Sequence, residues 1–149
     1  MPLSKLTPGE RAIKTGEIMT NNDSNFKSLG ATLEKISVGS ATVGLEIKDA
    51  HTNGHGFCHG GVIFTLADAT FGFACNSYNV KAVAQNCSIT YISPVKKKDK
   101  LVAEAKEIKK FGRSAIYDVT ITNQNNDLVA LFRGHSRSVG SQLFDEKYN

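Results

Sequence analysis

The fold is decided by one internal segment, residues 60–77, which reads GGVIFTLADATFGFACNS. Its apolar residues recur with the period of an α-helix, so we predict one strong helix here. The helix is apolar over most of its circumference, which is typical of a helix buried against its own sheet. Its apolar stretch is too short to cross a bilayer and contains Asp68, so no membrane span is predicted.

A narrow stripe of small or polar residues runs along this helix. At about 100° per residue, the stripe contains Gly61, Thr65, Asp68, Gly72 and Cys75. Small side chains leave room for another chain, a ligand or both. Asp68 lies in mid-helix among apolar neighbours, where a carboxylate needs a partner, a water or a function. Asp68 is therefore the candidate catalytic residue.

The start of the helix, His59-Gly60-Gly61, is the second candidate feature. Its free backbone N–H groups, with no Cβ atom at two positions, can stabilise negative charge such as an oxyanion. Asp68 lies eight residues after Gly60, or about 12 Å along the axis, whereas catalytic contacts need roughly 3 Å. Two such helices packed antiparallel about a twofold axis would bring Asp68 of one chain near Gly60 of the other. We therefore predict that catalysis requires a dimer.

The segments before this helix predict a helix and a hairpin. The sequence TPGE at residues 7–10 predicts a capping box that opens a helix ending near Thr20, where the polar residues 21–24 follow. Strands are predicted near residues 31–38 and 41–48, joined at Gly39-Ser40. A loop rich in His, Gly and Asn covers residues 50–59.

Four strands are predicted after the central helix. In the first of them, the alternation places Val83, Ile89 and Tyr91 on one face, and the last strand covers residues 128–139. Short connections make this part of the sheet antiparallel. The predicted class is α+β, with one sheet and a single helix to cover its concave face.

The length of 149 residues predicts one domain, with an N-terminal helical segment over residues 1–24 and a frayed tail over residues 140–149. The N-terminus has no apolar core of a secretory signal. The three cysteines form an odd set without a C-x-x-C pair, which indicates a reducing compartment. We expect a soluble cytoplasmic protein.

The net charge is +4, and lysines cluster at residues 96–100 and around Lys109, Lys110 and Arg113. Such clusters suit a polyanionic ligand, although solvated hairpin tips would look the same. No nucleic-acid motif accompanies them and interleaved aromatic residues are scarce, so no nucleic-acid partner is predicted. A phosphorylated small molecule fits at least as well.

The loop before the central helix invites two other interpretations. His51, His55, Cys58 and His59 lie within nine residues, but their spacing matches no standard structural zinc site. The adjacent Cys58 and His59 cannot easily bind the same ion, and neighbouring side chains seldom meet as a nucleophile and its base. We predict no metal and no cysteine nucleophile.

Four runs of sequence carry a family resemblance. They are NGHGFCHGGVIFTLADATFGFACNS at 53–77, AVAQNCSITYISP at 82–94, YDVTITNQ at 117–124 and VALFRG at 129–134. Together they resemble the PaaI-type acyl-CoA thioesterases of phenylacetic acid degradation, in the hotdog-fold superfamily. The resemblance implies an antiparallel sheet wrapped around one long central helix, usually a homotetramer built from dimers. The implied substrate is acyl-CoA, with no separate cofactor.

The same resemblance assigns roles to individual residues. Asp68 would be the nucleophile or general base, the Gly60 N–H would polarise the thioester carbonyl, and Asn53 would orient the attacking water or the carboxylate. His59 would support the loop and the thioester. We expect substrate contacts from Gly61 and Thr65 beside them, and CoA phosphate contacts from Lys110, Arg113 and Arg133. Related enzymes often have a hydroxyl where this chain has Ala84 and Gln85, so no water-positioning hydroxyl is predicted there.

Hydrolysis of aryl-acetyl-CoA, of the hydroxyphenylacetyl-CoA kind, or of related short or medium acyl-CoA is the predicted function. Two alternatives stay open at this point. A hotdog dehydratase would pair His59 with Asp68 to move protons at carbon, although the arrangement HGGxxxxLAD resembles the hydrolases better. A non-catalytic acyl-CoA-binding sensor would lack the acid at position 68.

Overall fold

The elements of the chain follow the predicted order of helix, hairpin, helix and four strands. The computed structural model describes residues 6–146. These residues form α1 (Pro8–Asn22), α2 (Ser24–Leu29), β1 (Thr32–Ser37), β2 (Ser40–Glu46), a 3-10 turn (Asp49–His51), α3 (Gly60–Asn76), β3 (Ala82–Tyr91), β4 (Lys100–Phe111), β5 (Ser114–Thr122) and β6 (Leu128–Ser138). None of the helices in this part of the chain is long and apolar enough to cross a membrane.

One antiparallel sheet in the order β1-β2-β4-β5-β6-β3 curves around α3. The apolar side of α3 is buried against it, with Leu66 and Phe71 almost fully enclosed. The ring of Phe71 lies so close to β6 that a Cβ atom at Gly134 would stand 2.8 Å from it. Burying each such side chain contributes about 1.5–3 kcal/mol. The prediction of an α+β sheet with one covering helix is confirmed.

The N-terminal helix begins as predicted but does not end as predicted. The Thr7 hydroxyl caps α1 by accepting from the Glu10 N–H at 3.1 Å. The helix continues past Thr20 to Asn22, and the short helix α2, which the sequence analysis did not predict, follows at once. The residues interpreted as a helix end contain the N-cap of α2, because the Asp23 carboxylate accepts from the Phe26 N–H at 2.9 Å. The end of α1 was predicted too early because polar residues that end a helix are also the residue types that cap the start of the next one.

A β-bulge in β3 changes which side chains face the helix. The ladder between β3 and β6 shifts by one residue at Gln85, so the inward face changes from even to odd positions. Ile89 packs against the core, while Val83 is 50% exposed on the other side. The prediction of one shared face for Val83, Ile89 and Tyr91 is therefore wrong. A strict two-residue period cannot reveal an inserted residue.

The C-terminal tail is held rather than frayed over the part that the structure describes. Asn79 is fully buried, and its side-chain oxygen accepts from the N–H groups of Leu143 and Phe144 at 2.9 and 3.1 Å. Its amide nitrogen donates to the carbonyl of Phe144 and to Glu146, both at 3.0 Å. Glu146 also pairs with Arg11 at 2.9 Å. The predicted fraying is wrong for this stretch, and residues 1–5 and 147–149 lie outside the described residues.

Candidate active site

The first turn of α3 offers two unpartnered backbone donors. His59 is the N-cap in an extended conformation, and its side chain makes no capping hydrogen bond. Its carbonyl accepts from the N–H groups of Val62 and Ile63 at 3.1 and 3.4 Å. The N–H groups of Gly60 and Gly61 donate to no other group within residues 6–146. Two free N–H groups at the positive end of a helix dipole form a ready site for negative charge.

The loop that leads into α3 is organised by Asn53. Its side-chain oxygen accepts from the N–H groups of His55 and Phe57 at 2.9 and 3.2 Å. The backbone N–H of Asn53 also donates to the Phe57 carbonyl at 2.8 Å. The oxygen of Asn53 therefore shapes the loop, and its side-chain nitrogen is the atom available for a water or a substrate.

His51 anchors the same loop to the body of the protein. Its Nδ1 accepts from the Lys48 N–H at 2.9 Å and its Nε2 donates to the Leu29 carbonyl at 2.9 Å. The backbone carbonyl of His51 accepts from the N–H of His59 at 2.9 Å. Both ring nitrogens are used, so His51 has no lone pair for a metal. Across the described residues, no three His, Cys, Asp or Glu side chains gather as metal ligands.

Asp68 lies half-buried in the middle of α3 with a single polar contact. Its Oδ1 is 4.0 Å from the Sγ of Cys87 on β3, and it makes no ion pair among the residues that the structure describes. Burial raises the pKa of the Asp68 carboxyl, and the nearby carboxylate of Asp23 raises this pKa further. A carboxylate with a raised pKa is a stronger base than an ordinary aspartate.

The three cysteines are free thiols whose environment disfavours the thiolate. Burial raises the pKa of Cys58 to about 11 and that of Cys75 to about 12. Burial and the Asp68 charge also raise the pKa of Cys87. Since the thiolate is the nucleophilic form, these environments do not suit a cysteine nucleophile.

The stripe predicted along α3 is open over most of its length. Gly61 is exposed and has no atom within 4 Å of a Cβ position, and the Thr65 hydroxyl beside it donates to the Gly61 carbonyl at 2.9 Å. Asp68 and Gly72 are partly exposed. Cys75 is the exception, because the end of α3 is enclosed by the sheet. The surface left by the first four residues is where a partner or a substrate can approach α3.

Only two of the three basic residues proposed for phosphate contacts, Lys110 and Arg113, come together. Lys110 and Arg113 line a small cavity of about 170 Å³ near the C-terminal end of α3, where the Lys110 ammonium lies 3.5 Å from the centre of the Tyr78 ring. Arg133 lies on β6 and pairs with Asp118 at 2.6 Å. This ion pair lowers the pKa of the Asp118 carboxyl.

Two further surfaces differ in their distance from the candidate site residues. The backbone of Lys96 bridges to Phe57, so the basic loop at residues 96–100 lies beside the loop that Asn53 shapes. A large cavity of about 860 Å³ lies elsewhere, between α1 and the strands β1 and β2, and none of the candidate site residues lines it. Size alone therefore does not locate the chemistry.

Three residues near the candidate site were not assigned to it by the sequence analysis. Tyr91 donates from its hydroxyl to the Gly60 carbonyl at 2.7 Å, Cys87 contacts Asp68, and Asp23 acts on the Asp68 charge. Tyr91 and Cys87 are part of the quoted run AVAQNCSITYISP, but nothing in that run indicates contact with α3. In the sequence, Asp23 is recognisable only as a residue type that caps helices, and nothing there predicts an effect on Asp68.

The comparisons with known proteins settle the family. A model described as the thioesterase superfamily matches residues 55–130. Acyl-coenzyme A thioesterase PaaI of Escherichia coli is 37% identical over 136 residues, which cover 91% of this chain and 97% of that protein. This chain belongs to the thioesterase superfamily. The predicted PaaI-type resemblance and the assignment as a thioester hydrolase are confirmed.

Solved structures of this superfamily agree with the fold. The structure of Escherichia coli PaaI superposes with a TM-score of 0.89 at 36% identity, covering 91% of this chain and 99% of that chain. A Streptococcus mutans protein, solved bound to acetyl CoA, gives a TM-score of 0.73 at 30% identity and covers 75% of this chain and 90% of that chain. The hotdog fold implied by the sequence is thus confirmed.

Proposed function

We propose that this protein is an acyl-CoA thioesterase acting on aryl-acetyl-CoA, of the hydroxyphenylacetyl-CoA kind, or on related short or medium acyl-CoA. The observation that carries the proposal lies on one face of α3. Within residues 6–146, the N–H groups of Gly60 and Gly61 have no partner and the carboxylate of Asp68 makes no ion pair. The relative named acyl-coenzyme A thioesterase and the structural neighbour bound to acetyl CoA support the CoA ester as substrate.

In the proposed reaction, Asp68 acts as a general base. It takes a proton from a water whose oxygen attacks the thioester carbonyl carbon, and the carbonyl oxygen becomes an oxyanion held by the Gly60 N–H. Collapse of this intermediate breaks the C–S bond, and the departing CoA thiolate takes up the proton. The raised pKa of Asp68 makes its carboxylate a stronger base, which suits proton removal from water.

The two groups would come from different chains of a dimer. The strand β3 lies at an edge of the sheet, and none of its ten residues is buried. An exposed edge of this length is suited to pairing with a second copy about a twofold axis. This pairing would place the two α3 helices antiparallel, with Asp68 of one chain close to Gly60 of the other. A tetramer built from two such dimers is part of the proposal.

The CoA phosphates would meet basic residues at the surface. Lys110 and Arg113 are available together at one cavity, whereas Arg133 would first have to leave Asp118. Lys96 offers a further cation beside the loop of the candidate site. We therefore expect Lys110→Ala and Arg113→Ala to raise KM more than Arg133→Ala does.

Aromatic surface near the start of α3 supports an aryl acyl group. The rings of Phe57 and Tyr91 are 39% and 48% exposed there, and the PaaI neighbour comes from a phenylacetic acid degradation operon.

The cytoplasm is the proposed compartment, because all three cysteines are free thiols.

The test is steady-state hydrolysis of aryl-acetyl, short and medium acyl-CoA esters, measured by release of free thiol. Turnover of aryl-acetyl-CoA that Asp68→Ala abolishes, and that Asp145→Asn on the exposed tail leaves unchanged, would support the proposal. Binding of acyl-CoA without turnover of any ester would instead favour a sensor.

Single-turnover hydrolysis in ¹⁸O water tests whether Asp68 acts as a general base or as a nucleophile. Label in the product acid is expected for a base, and label in the Asp68 carboxylate would contradict it.

A further inference from the structure

The side chain of Tyr91 reaches the first residue of α3 from the end of β3. Its hydroxyl donates a hydrogen bond to the Gly60 carbonyl at 2.7 Å. The ring also lies directly over Gly60, because a Cβ atom there would stand 3.0 Å from Cζ and 3.1 Å from the hydroxyl oxygen of Tyr91. Gly60 and Tyr91 are thus in contact through both a hydrogen bond and the ring.

The two glycines at the start of α3 therefore differ in the space around them. At Gly61, a Cβ atom would have no atom within 4 Å, so that position has open space around it. At Gly60, the space that a Cβ atom needs is occupied by the Tyr91 ring. The side of α3 at Gly61 is open to a ligand, and the side at Gly60 is closed by this protein's own side chain.

The first turn of α3 is closed by the hydrogen bonds from the Val62 and Ile63 N–H groups to the His59 carbonyl, and its first two residues are glycines. Two consecutive glycines have more backbone freedom than any other residue pair, and His59 provides no side-chain cap. The hydroxyl of Tyr91 binds the carbonyl of the Gly60–Gly61 peptide, whose N–H is that of Gly61. Because a peptide unit is planar, holding its carbonyl also sets the direction of its N–H. The ring of Tyr91 also lies against the Cα atom of Gly60. Because the Gly60 nitrogen is bonded to this Cα atom, the contact limits the movement of the Gly60 N–H as well.

We propose that Tyr91 is a positioning residue that holds the first turn of α3 so that the Gly60 and Gly61 N–H groups stay directed at the substrate oxyanion. The inference rests on the proposed function, in which this turn polarises the thioester carbonyl. Oxyanion stabilisation depends on donors that are oriented before the reaction. Two glycines without a side-chain cap need an external restraint, and Tyr91 supplies it.

A purely structural role for the hydroxyl is disfavoured by its surroundings. The Tyr91 side chain is 48% exposed, so water could satisfy the hydroxyl if the Gly60 bond were absent. The net contribution of such a bond to folding is small, because water competes for both the hydroxyl and the carbonyl. Tyr91→Phe, which keeps the ring, should therefore change the stability of the fold little while it loosens the Gly60–Gly61 peptide.

The kinetic test compares Tyr91→Phe with Ser93→Ala, using an acyl-CoA ester that the wild-type protein hydrolyses. Ser93 makes the same kind of bond, from a hydroxyl to the Leu128 carbonyl at 2.8 Å, and is the matched control. We expect Tyr91→Phe to lower kcat roughly tenfold with KM within about twofold, below the ~100-fold loss of an oxyanion donor itself. Ser93→Ala should leave kcat unchanged. An unchanged kcat in Tyr91→Phe, or a change in KM alone, would overturn the proposal.

A double-mutant cycle tests the contact between the ring and the glycine. Gly60→Ala should lower kcat in the wild-type background, because the new methyl group displaces the ring. In a Tyr91→Ala background the same substitution should have little further effect, so the two losses should not multiply. Circular dichroism and size-exclusion chromatography check that each variant is folded and assembled. Fully multiplicative losses would mean that the ring and the glycine act independently.

A measurement that needs no catalysis separates this proposal from the proposed function. The ¹⁵N order parameters of the Gly60 and Gly61 amides should be near 0.85 in wild type and fall toward about 0.6 in Tyr91→Phe. Order parameters that stay the same in both proteins would overturn the positioning role whatever the enzyme does. A fall in a protein that hydrolyses no acyl-CoA would leave the restraint by Tyr91 standing and reject the thioesterase proposal instead.

Discussion

The two ends of α3 differ in whether side chains of this protein bind their backbone N–H and carbonyl groups. At the start, the N–H groups of Gly60 and Gly61 are free within the described part of the chain, and His59 gives no side-chain cap. At the other end, Asn76 donates to the carbonyls of Gly72 and Ala82 and accepts from the Ala82 N–H. The first end is open to a ligand, and the second is closed by this protein's own side chains.

The closed end extends beyond the helix itself. The Ser77 hydroxyl donates to the Ala74 carbonyl at 2.7 Å and accepts from the Gly39 N–H at 2.8 Å, and both Ser77 and Asn79 are fully buried. Buried polar groups are normally satisfied because leaving one unpaired costs about 1–3 kcal/mol. Polar residues therefore occur at both ends of α3, but only the first end leaves backbone donors available to a ligand within the described part of the chain.

The largest effect is expected on activity at the open face. Replacing Asp68 with Asn should lower kcat by roughly 10²- to 10⁴-fold, the usual contribution of a general base. The same change should stabilise the fold at neutral pH. Because the folded-state pKa of Asp68 is raised, the charged form costs stability above that pKa, and the cost disappears below the unfolded-state pKa.

Thermal unfolding of wild type and Asp68→Asn across pH checks this second effect. The melting temperature of the variant should exceed that of wild type at pH 7, and the gap should close as the pH falls. A variant that is less stable than wild type at pH 7 would contradict the raised pKa. Retained activity in a folded variant would contradict the role of Asp68.

The next effect is on stability at the closed end. Asn79→Ala removes four hydrogen bonds to the tail and places alanine at a left-handed backbone position with φ 58°. We expect a loss of about 2–4 kcal/mol in the free energy of unfolding, measured by urea denaturation, with kcat unchanged. Asn126→Ala is the matched control, because Asn126 has a similar φ of 61° but lies in an exposed turn. Equal losses in the two variants would show that backbone strain, not the buried hydrogen bonds, accounts for the effect.

A smaller change separates stability from activity at the open end. Gly61→Ala should raise the free energy of unfolding by about 0.5–1 kcal/mol, because a helical glycine is entropically costly and the position has open space. It should lower kcat/KM, since the methyl group would occupy the open side from which the proposed substrate would approach. Gly9→Ala in α1 also has open space and should give the stability gain with full activity. Full activity in Gly61→Ala would place the substrate elsewhere.

The smallest effect is a displacement of the pH–rate profile. Asp23→Asn removes a charge that raises the pKa of Asp68, so the acid limb of kcat/KM should move to lower pH. Asparagine caps helices about as well as aspartate, so α2 should persist. Asp127→Asn, in an exposed turn, is the control and should leave the profile in place. A limb that does not move in Asp23→Asn would show that burial alone sets the pKa of Asp68.

Much of the fold could be read from residue patterns, and the failures share one cause. The segment GGVIFTLADATFGFACNS predicted α3 to within one residue, because its period and its glycine start are local properties. The bulge at Gln85 and the held tail were missed because each depends on a partner far along the chain. The helix α2 was missed because a cap and a turn look alike in sequence.

The candidate site divides in the same way. Composition and period were enough to predict that Asp68 lies within an apolar helix and that two glycines begin this helix. The folded chain adds what the patterns could not show: Cys87 contacts Asp68, the charge of Asp23 acts on Asp68, and Tyr91 fills the space at Gly60. This division arises because the contacting residues are far apart along the chain. Local periodicity fixes which face a residue occupies, but the contacts across that face are made by strands and loops that the folding of the whole sheet brings there.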